Sequence, residues 1–140
     1  MININRAYDL EIDISSVSTI KTSIAFKQYD YNSCLINLLY HNNGELIRNI
    51  KDNIVVGVFK NSQGELFIDE ETNKPVQTFA RTTSNDSVIV LSIPDEVLKH
   101  SGNITCETII ITPDKKRLTS GAFVFAIEPS LLDIDFELVM

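Results

Sequence analysis

The sequence has 140 residues and a formal charge of −7, from 12 Lys and Arg against 19 Asp and Glu. That length suits one domain able to bury a real core. The acidic balance argues against non-specific binding to nucleic acid or to an anionic membrane, both of which want a basic patch, and there is no run of about 18 apolar residues to span a bilayer.

The opening, MININRAYDLEIDI, is polar throughout and lacks the apolar h-region of a secretory signal. Residues 8–14 alternate. Tyr8, Leu10, Ile12 and Ile14 face one way, and Asp9, Glu11 and Asp13 the other, which predicts a half-buried strand with an acidic outer face. A polar loop at 15–19 leads to a second strand over 21–29, with Ile20, Ile24 and Phe26 on one side, and then to a turn at YDYNS, 29–33. Residues 34–41 predict a third strand, with Cys34, Ile36, Leu38 and Tyr40 opposed to Leu35, Asn37, Leu39 and His41. Asn42, Asn43 and Gly44 give a hairpin turn signal. Residues 45–53 read as an irregular connection. Residues 53–60 (IVVGVF at their centre) read as a strong strand whose Gly57 marks a bulge or a close backbone approach. A turn at 61–64, a short strand at 65–68, a charged loop at 69–75, a strand at 76–83 and a turn at 84–86 follow.

Local signals are strongest over 86–127. The β-branched run at 87–91 suits a strand covered on both faces. Pro94 fits a first helical turn, where its missing N–H costs nothing. Ser92 and Asp95 have capping-box spacing, and Asp95 and Glu96 suit the positive end of a helix dipole. Gly102 supplies the stop. The prediction is a helix of about two turns that turns Val97 and Leu98 inward and plugs an open end of a β fold. Beyond it, Ile104, Cys106, Thr108, Ile110 and Thr112 share one face of a strand, and Thr105, Glu107, Ile109 and Ile111 the other. A charged turn at 113–116 leads into a closing strand over 121–127, with Phe123, Phe125 and Ile127 on one face.

The tail, EPSLLDIDFELVM, follows a break at Pro129. Ser130 could cap a helix, or Ile134, Phe136 and Leu138 could form an edge strand. A tail this apolar packs on its own domain or meets a partner. The sum is about eight or nine strands with turns every eight to twelve residues and one short helix. That is an all-β fold, read as a β-sandwich with a small closed barrel as its rival.

Chemistry is sparse. His41 ends a strand and His100 ends the short helix, where a cation suits the dipole; neither sits in a nucleophile motif. The nucleotide, metalloprotease and hydrolase signatures are missing from the sequence. Asp9, Glu11 and Asp13, the loop acids 69–71, and Asp133 with Asp135 read as solvated faces. Their spacing is not that of an EF-hand. Tyr40 reads as core, while Tyr29 and Tyr31 divide between structure and interface. The sequons at Asn85 and Asn103 read as chance matches. Cys34 and Cys106 form no CxxC pair, and zinc would need four ligands, so buried reduced thiols are the reading. The alternative is an inter-sheet disulfide of immunoglobulin type, which the missing Trp and the Ile at 104, in place of a corner Tyr, argue against.

Several pieces together resemble the N-terminal domain of the upper baseplate protein family of siphophages that infect Gram-positive bacteria. They are YDLEIDI at 8–14, AFKQYDYNSC at 25–34, IVVGVFK at 54–60, IPDEVL at 93–98, Gly102, DKKRL at 114–118 and FVFAIE at 123–128. Their order and spacing cover residues 8–130. The resemblance implies an immunoglobulin-like β-sandwich over 1–130, with 131–140 as the start of a stalk or an extra edge element. It implies no catalysis and no cofactor. The implied role is a virion protein of the tail baseplate, made in the bacterial cytoplasm, that docks a longer, usually trimeric, fibre-like protein onto the tail hub. The distal parts of such proteins carry or bind the receptor-binding protein. Family members usually continue into a helical stalk, whereas this sequence stops at Met140; it is either truncated or a short version that docks without the stalk.

The leading expectation is therefore a non-catalytic adaptor of a phage or prophage tail. Its partners are the tail hub and receptor-binding proteins, a homo-trimer would form through the missing stalk, and neither nucleic acid nor membrane is involved. Candidate partner contacts are Tyr29, Tyr31 and Asn32 at the turn and Ile134, Phe136 and Leu138 in the tail, through strand pairing or an aromatic anchor. The alternative is a carbohydrate-binding sandwich that uses Tyr29, Tyr31, Asn32 and Asn43 as a sugar platform. A small hydrolase would need convergent, perturbed carboxylates in a cleft.

Overall fold

The computed structural model describes residues 4–131. Ile134, Phe136 and Leu138, and the choice between helix and strand for the tail, lie outside the described residues. The strands are β1 (Arg6–Asp13), β2 (Ile20–Lys27), β3 (Cys34–Asn42), β4 (Glu45–Leu46), β5 (Ile54–Lys60), β6 (Ile68–Asp69), β7 (Lys74–Pro75), β8 (Gln77–Phe79), β9 (Arg81–Thr82), β10 (Val88–Ser92), β11 (Gly102–Ile111), β12 (Arg117–Thr119) and β13 (Phe123–Glu128). The helix α1 spans Asp95–Leu98, and a 3-10 turn spans Ile50–Asp52.

Two sheets face each other. The first runs β1-β3-β10-β9, with β4 folded back on β3; the second runs β2-β13-β11-β5-β8, with β12 on β11. β1 lies parallel to β3 and β2 parallel to β13, while the other pairs are antiparallel. The two-residue period decides which side chains go in. Ile36, Leu38 and Tyr40 of β3, Ile104, Cys106 and Thr108 of β11, and Phe123, Phe125 and Ile127 of β13 are all essentially inaccessible. Rings step across the interior, Tyr8 to Phe26 at 5.5 Å, Phe26 to Phe125 at 5.7 Å and Phe125 to Phe59 at 6.5 Å, each near edge-to-face, the arrangement their quadrupoles favour.

One polar chain crosses this core. Tyr40 Oη lies 2.6 Å from Thr108 Oγ1, which lies 2.7 Å from Ser120 Oγ. The Ser120 hydroxyl donates to the Gly121 carbonyl at 3.1 Å, so the protons run from Tyr40 to Thr108 to Ser120. Burial pushes the Tyr40 phenol up from its ordinary range. Ser120 sits where the edge beside β11 passes from β12 to β13. Next to it, a Cβ on Gly121 would stand 2.6 Å from the Ser18 carbonyl oxygen.

Several expectations are corrected. The strand expected over 76–83 is two, because the chain crosses from the second sheet (β8) to the first (β9) at Ala80, whose N–H bonds the Val55 carbonyl at 2.8 Å. Of the short strand expected over 65–68, Leu66 makes only an isolated bridge to Lys60, and Ile68 opens the separate strand β6. The charged loop is instead closed by the small β6–β7 hairpin, whose Asp69 carboxylate accepts the N–H groups of Glu71 and Thr72. α1 has four residues, not two turns. Ser92 does not cap it, because β10 runs through Ser92 and its hydroxyl accepts from Arg81. Gly57 makes no bulge; its position would bring a Cβ to 3.1 Å from Leu91 Cδ1. β10 is covered on one face, since Val88 and Val90 are half-buried on the other. The hairpin at Asn43 and Gly44 forms as read, with both residues at positive φ.

Candidate functional site

The turn that carries Tyr29, Tyr31 and Asn32 is held from several sides. Where β2 ends, Gln28 N–H bonds the Glu128 carbonyl at 2.8 Å. Tyr29 then takes φ 71 and gives its N–H to the Leu98 carbonyl of α1 at 3.0 Å, and Asn32 takes φ 61. The Asp30 carbonyl accepts the Ser33 hydroxyl at 3.0 Å and the Cys34 thiol at 3.3 Å. The Tyr29 and Tyr31 rings meet edge-on at 6.3 Å. Both are half-buried, Tyr31 packs on the core, and Asn32 is exposed. Asn32 borders an open depression of about 400 Å³ with Arg81, Ser92 and Asp95. The structure does not assemble the sugar platform. Asn43 lies beyond the far end of β3 from Asn32, roughly 30 Å away at strand rise, so the four residues share no surface.

At that far end the carboxylates serve the fold. Asp13 accepts the Ser15 N–H at 2.9 Å and hydroxyl at 2.6 Å, the Asn43 N–H at 3.1 Å and the Gly44 N–H at 2.9 Å. It therefore ties the β1–β2 turn to the β3–β4 hairpin, and the Ser15 bonds foremost hold its carboxyl well below the usual range. Asp9 accepts from the Asn37 amide at 2.9 Å. Glu11, Asp13 and His41 border a shallow depression of about 440 Å³.

Acids 69–71, Glu96, Lys99 and His100 line another depression, of about 390 Å³, where the His100 ring rests on Phe67 at 5.2 Å. Among the described residues, groups of three or more His, Cys, Asp or Glu placed to hold a metal are absent. Cys34 and Cys106 are buried free thiols. Desolvation pushes Cys34 up to about 11 and raises Cys106 well above its ordinary range. No helix of the described residues is long and apolar enough to cross a membrane.

The sequence reading missed the apolar character of the second sheet's outer face. Ile54 and Phe79 are 53% and 59% exposed there, and register aligns Phe79, Val56 and Ile109 in one row and Ile54 and Ile111 in the next. The signal was the unbroken β-branched runs IVV and III, which leave no polar position for an outer face.

The molecule is an all-β, two-sheet sandwich with one short helix against its end. In fold it is similar to the N-terminal domain of phage TP901-1 ORF48, with a TM-score of 0.65 over 87% of this chain and 98% of that one at 9% identity. CopC from Methylosinus trichosporium OB3b aligns over 82% of this chain and 87% of its own at 14% identity, with a TM-score of 0.42 that carries no argument. No protein-family model matches the sequence, and no curated protein does.

Proposed function

We propose that this chain is a non-catalytic structural adaptor of a phage or prophage tail baseplate. It docks a receptor-binding or fibre assembly onto the tail hub. The observation that carries the reading is the likeness to an N-terminal domain of a phage protein, which spans 98% of that domain. The likeness is of fold; the resemblance of residues 8–130 to upper baseplate proteins supplies the role. The roles of the ionisable groups agree with it. Asp13 ties two turns together and both thiols are enclosed. The partners are the tail hub and receptor-binding proteins, and the location is the virion. Light scattering on the chain mixed with the distal hub protein of the same tail tests this. A stable complex of fixed stoichiometry is expected, and two unchanged species would refute docking by this domain. A saturable tyrosine-fluorescence response to cell-wall saccharide would favour the carbohydrate-binding alternative.

A further inference from the structure

The two outer faces of the sandwich differ in a complementary way. On the first sheet, register places Glu11, Leu39 and Val88 in one outward row, and Asp9, Asn37, Val90 and Arg81 in the next. The carboxylates are exposed at one side, and the leucine and valines form a half-buried stripe beside them. On the second sheet, Ile54 and Phe79 stand exposed and Ile109 and Ile111 half-buried, an apolar stripe laid around the buried Val56. Cations flank it, Arg117 opposite Ile111 and Lys60 opposite Thr105. In a chain of net charge −7, Lys21, Lys27, Lys60 and Arg117 outnumber Glu107 and Glu128 on this face. Among the described residues none of Asp9, Glu11, Lys60 and Arg117 forms an ion pair, the pairs being Arg6–Asp30, Lys51–Asp86 and Lys116–Asp114.

We infer that copies of this chain stack head to tail, the acidic outer face of the first sheet against the basic, isoleucine-rich outer face of the second sheet of the next copy. Each face supplies what the other lacks. Apolar stripes meet at the centre, as in sheet-on-sheet packing, and opposite charges meet at the margins, where they steer and orient association. Because the faces differ, the contact is heterologous, and repetition gives a ring or a short filament rather than a closed pair. A face about five strands wide and seven residues long measures roughly 24 by 23 Å, which places the contact at the small end of specific interfaces. Association is therefore weak, concentration-dependent and sensitive to salt.

The test uses the full chain without any hub protein, so its failure would leave the docking proposal untouched. Sedimentation across a wide concentration range is expected to show a weight-average mass rising above the 15.7 kDa monomer and falling back as salt is added. The double variants Asp9→Lys/Glu11→Lys and Lys60→Glu/Arg117→Glu each alter exposed positions, and a single cooperative melting transition verifies that each folds, even where loss of the Asn37–Asp9 bond lowers its midpoint. Each variant alone is expected to stay monomeric, and the two mixed in equal amounts to associate again, because each reversal is matched by the other. A wild type monomeric at every concentration, a variant that still associates alone, or a mixture that stays monomeric would overturn the proposal.

Discussion

Thr108→Val should be among the more damaging near-isosteric changes in the core. The Thr108 hydroxyl stands between Tyr40 Oη at 2.6 Å and Ser120 Oγ at 2.7 Å, and all three residues are buried. Valine keeps the volume and removes both bonds. Ser120 keeps the Thr108 N–H at 3.3 Å and its bond to the Gly121 carbonyl, but the Tyr40 hydroxyl is left in the core without a partner. A lost hydrogen bond costs about 0.5–1.5 kcal/mol and an orphaned buried polar group about 1–3 kcal/mol, so the loss should be about 2–4 kcal/mol. Tyr40→Phe removes the head of the chain instead. Thr108 can still donate to Ser120, and the cost should be about 1 kcal/mol. In the double variant no orphan remains, so its loss should fall short of the sum of the two singles by roughly 1–3 kcal/mol. Urea unfolding followed by far-UV circular dichroism measures all four proteins, with equal slopes as the check that the midpoints compare like with like. Additive losses, or a Tyr40→Phe loss as large as that of Thr108→Val, would refute the assigned proton order.

Three further outcomes follow from the same structure. Gly121→Ala should destabilise by roughly 1–3 kcal/mol, because the new methyl would meet the Ser18 backbone carbonyl at 2.6 Å, whereas Gly57→Ala meets the movable Leu91 methyls at 3.1 and 3.3 Å and should cost less; paired thermal melts decide, and the reverse order would be wrong for this packing. The Asp13 carboxyl is held below its unfolded value of about 3.9, so its contribution is full above that pH and drains away as acid protonates the folded group. The stability gap between wild type and Asp13→Asn should hold steady at neutral pH and narrow below about pH 4, and a gap that widens in acid would contradict the role of Asp13. Cys34 is raised to about 11 by burial, so native protein at pH 8 should resist an aromatic disulfide reagent and yield two thiols in denaturant; the stability held by the neutral thiol should fade from about pH 8.5 towards pH 11, which alkaline unfolding measures.

How far the sequence could be read depended on whether a residue's neighbours lay close along the chain. The inner faces of β3, β11 and β13 were legible because alternation alone decides them, and Tyr40, Ile104 and Phe125 fall where the period puts them. The Asn43–Gly44 hairpin was legible because its requirement for positive φ is local. The crossing at Ala80 was not, since nothing in QTFARTT marks a change of sheet; the Val55 carbonyl, 25 residues upstream, catches the Ala80 N–H and sends the two halves apart. The capping box failed for a related reason. Ser92 and Asp95 have the right spacing, but β10 holds Ser92 against Leu35 of β3, so its hydroxyl answers to Arg81 rather than to the helix.

The same limit bears on the surface. Residues 8–14 announced their acidic outer face by strict alternation. Over 54–56 of β5 and 109–111 of β11, both positions of the period are apolar, and the sequence alone gives no way to tell a strand covered on two sides from one whose second side awaits a partner. Register answers this for the described residues. Ile54 and Phe79 stand exposed in rows with Ile111 and with Val56 and Ile109. Val56 is buried beneath this surface, and Ile109 and Ile111 are half-buried, while Ile54 and Phe79 keep more than half of their surface in solvent. Contiguous exposed apolar surface is a mark of contact with another molecule. An adaptor and a self-stacking domain both need such a surface, and the charged margins at Arg117 and Lys60 make the two separable: docking on a hub should survive reversal of Asp9 and Glu11, whereas stacking between copies should not.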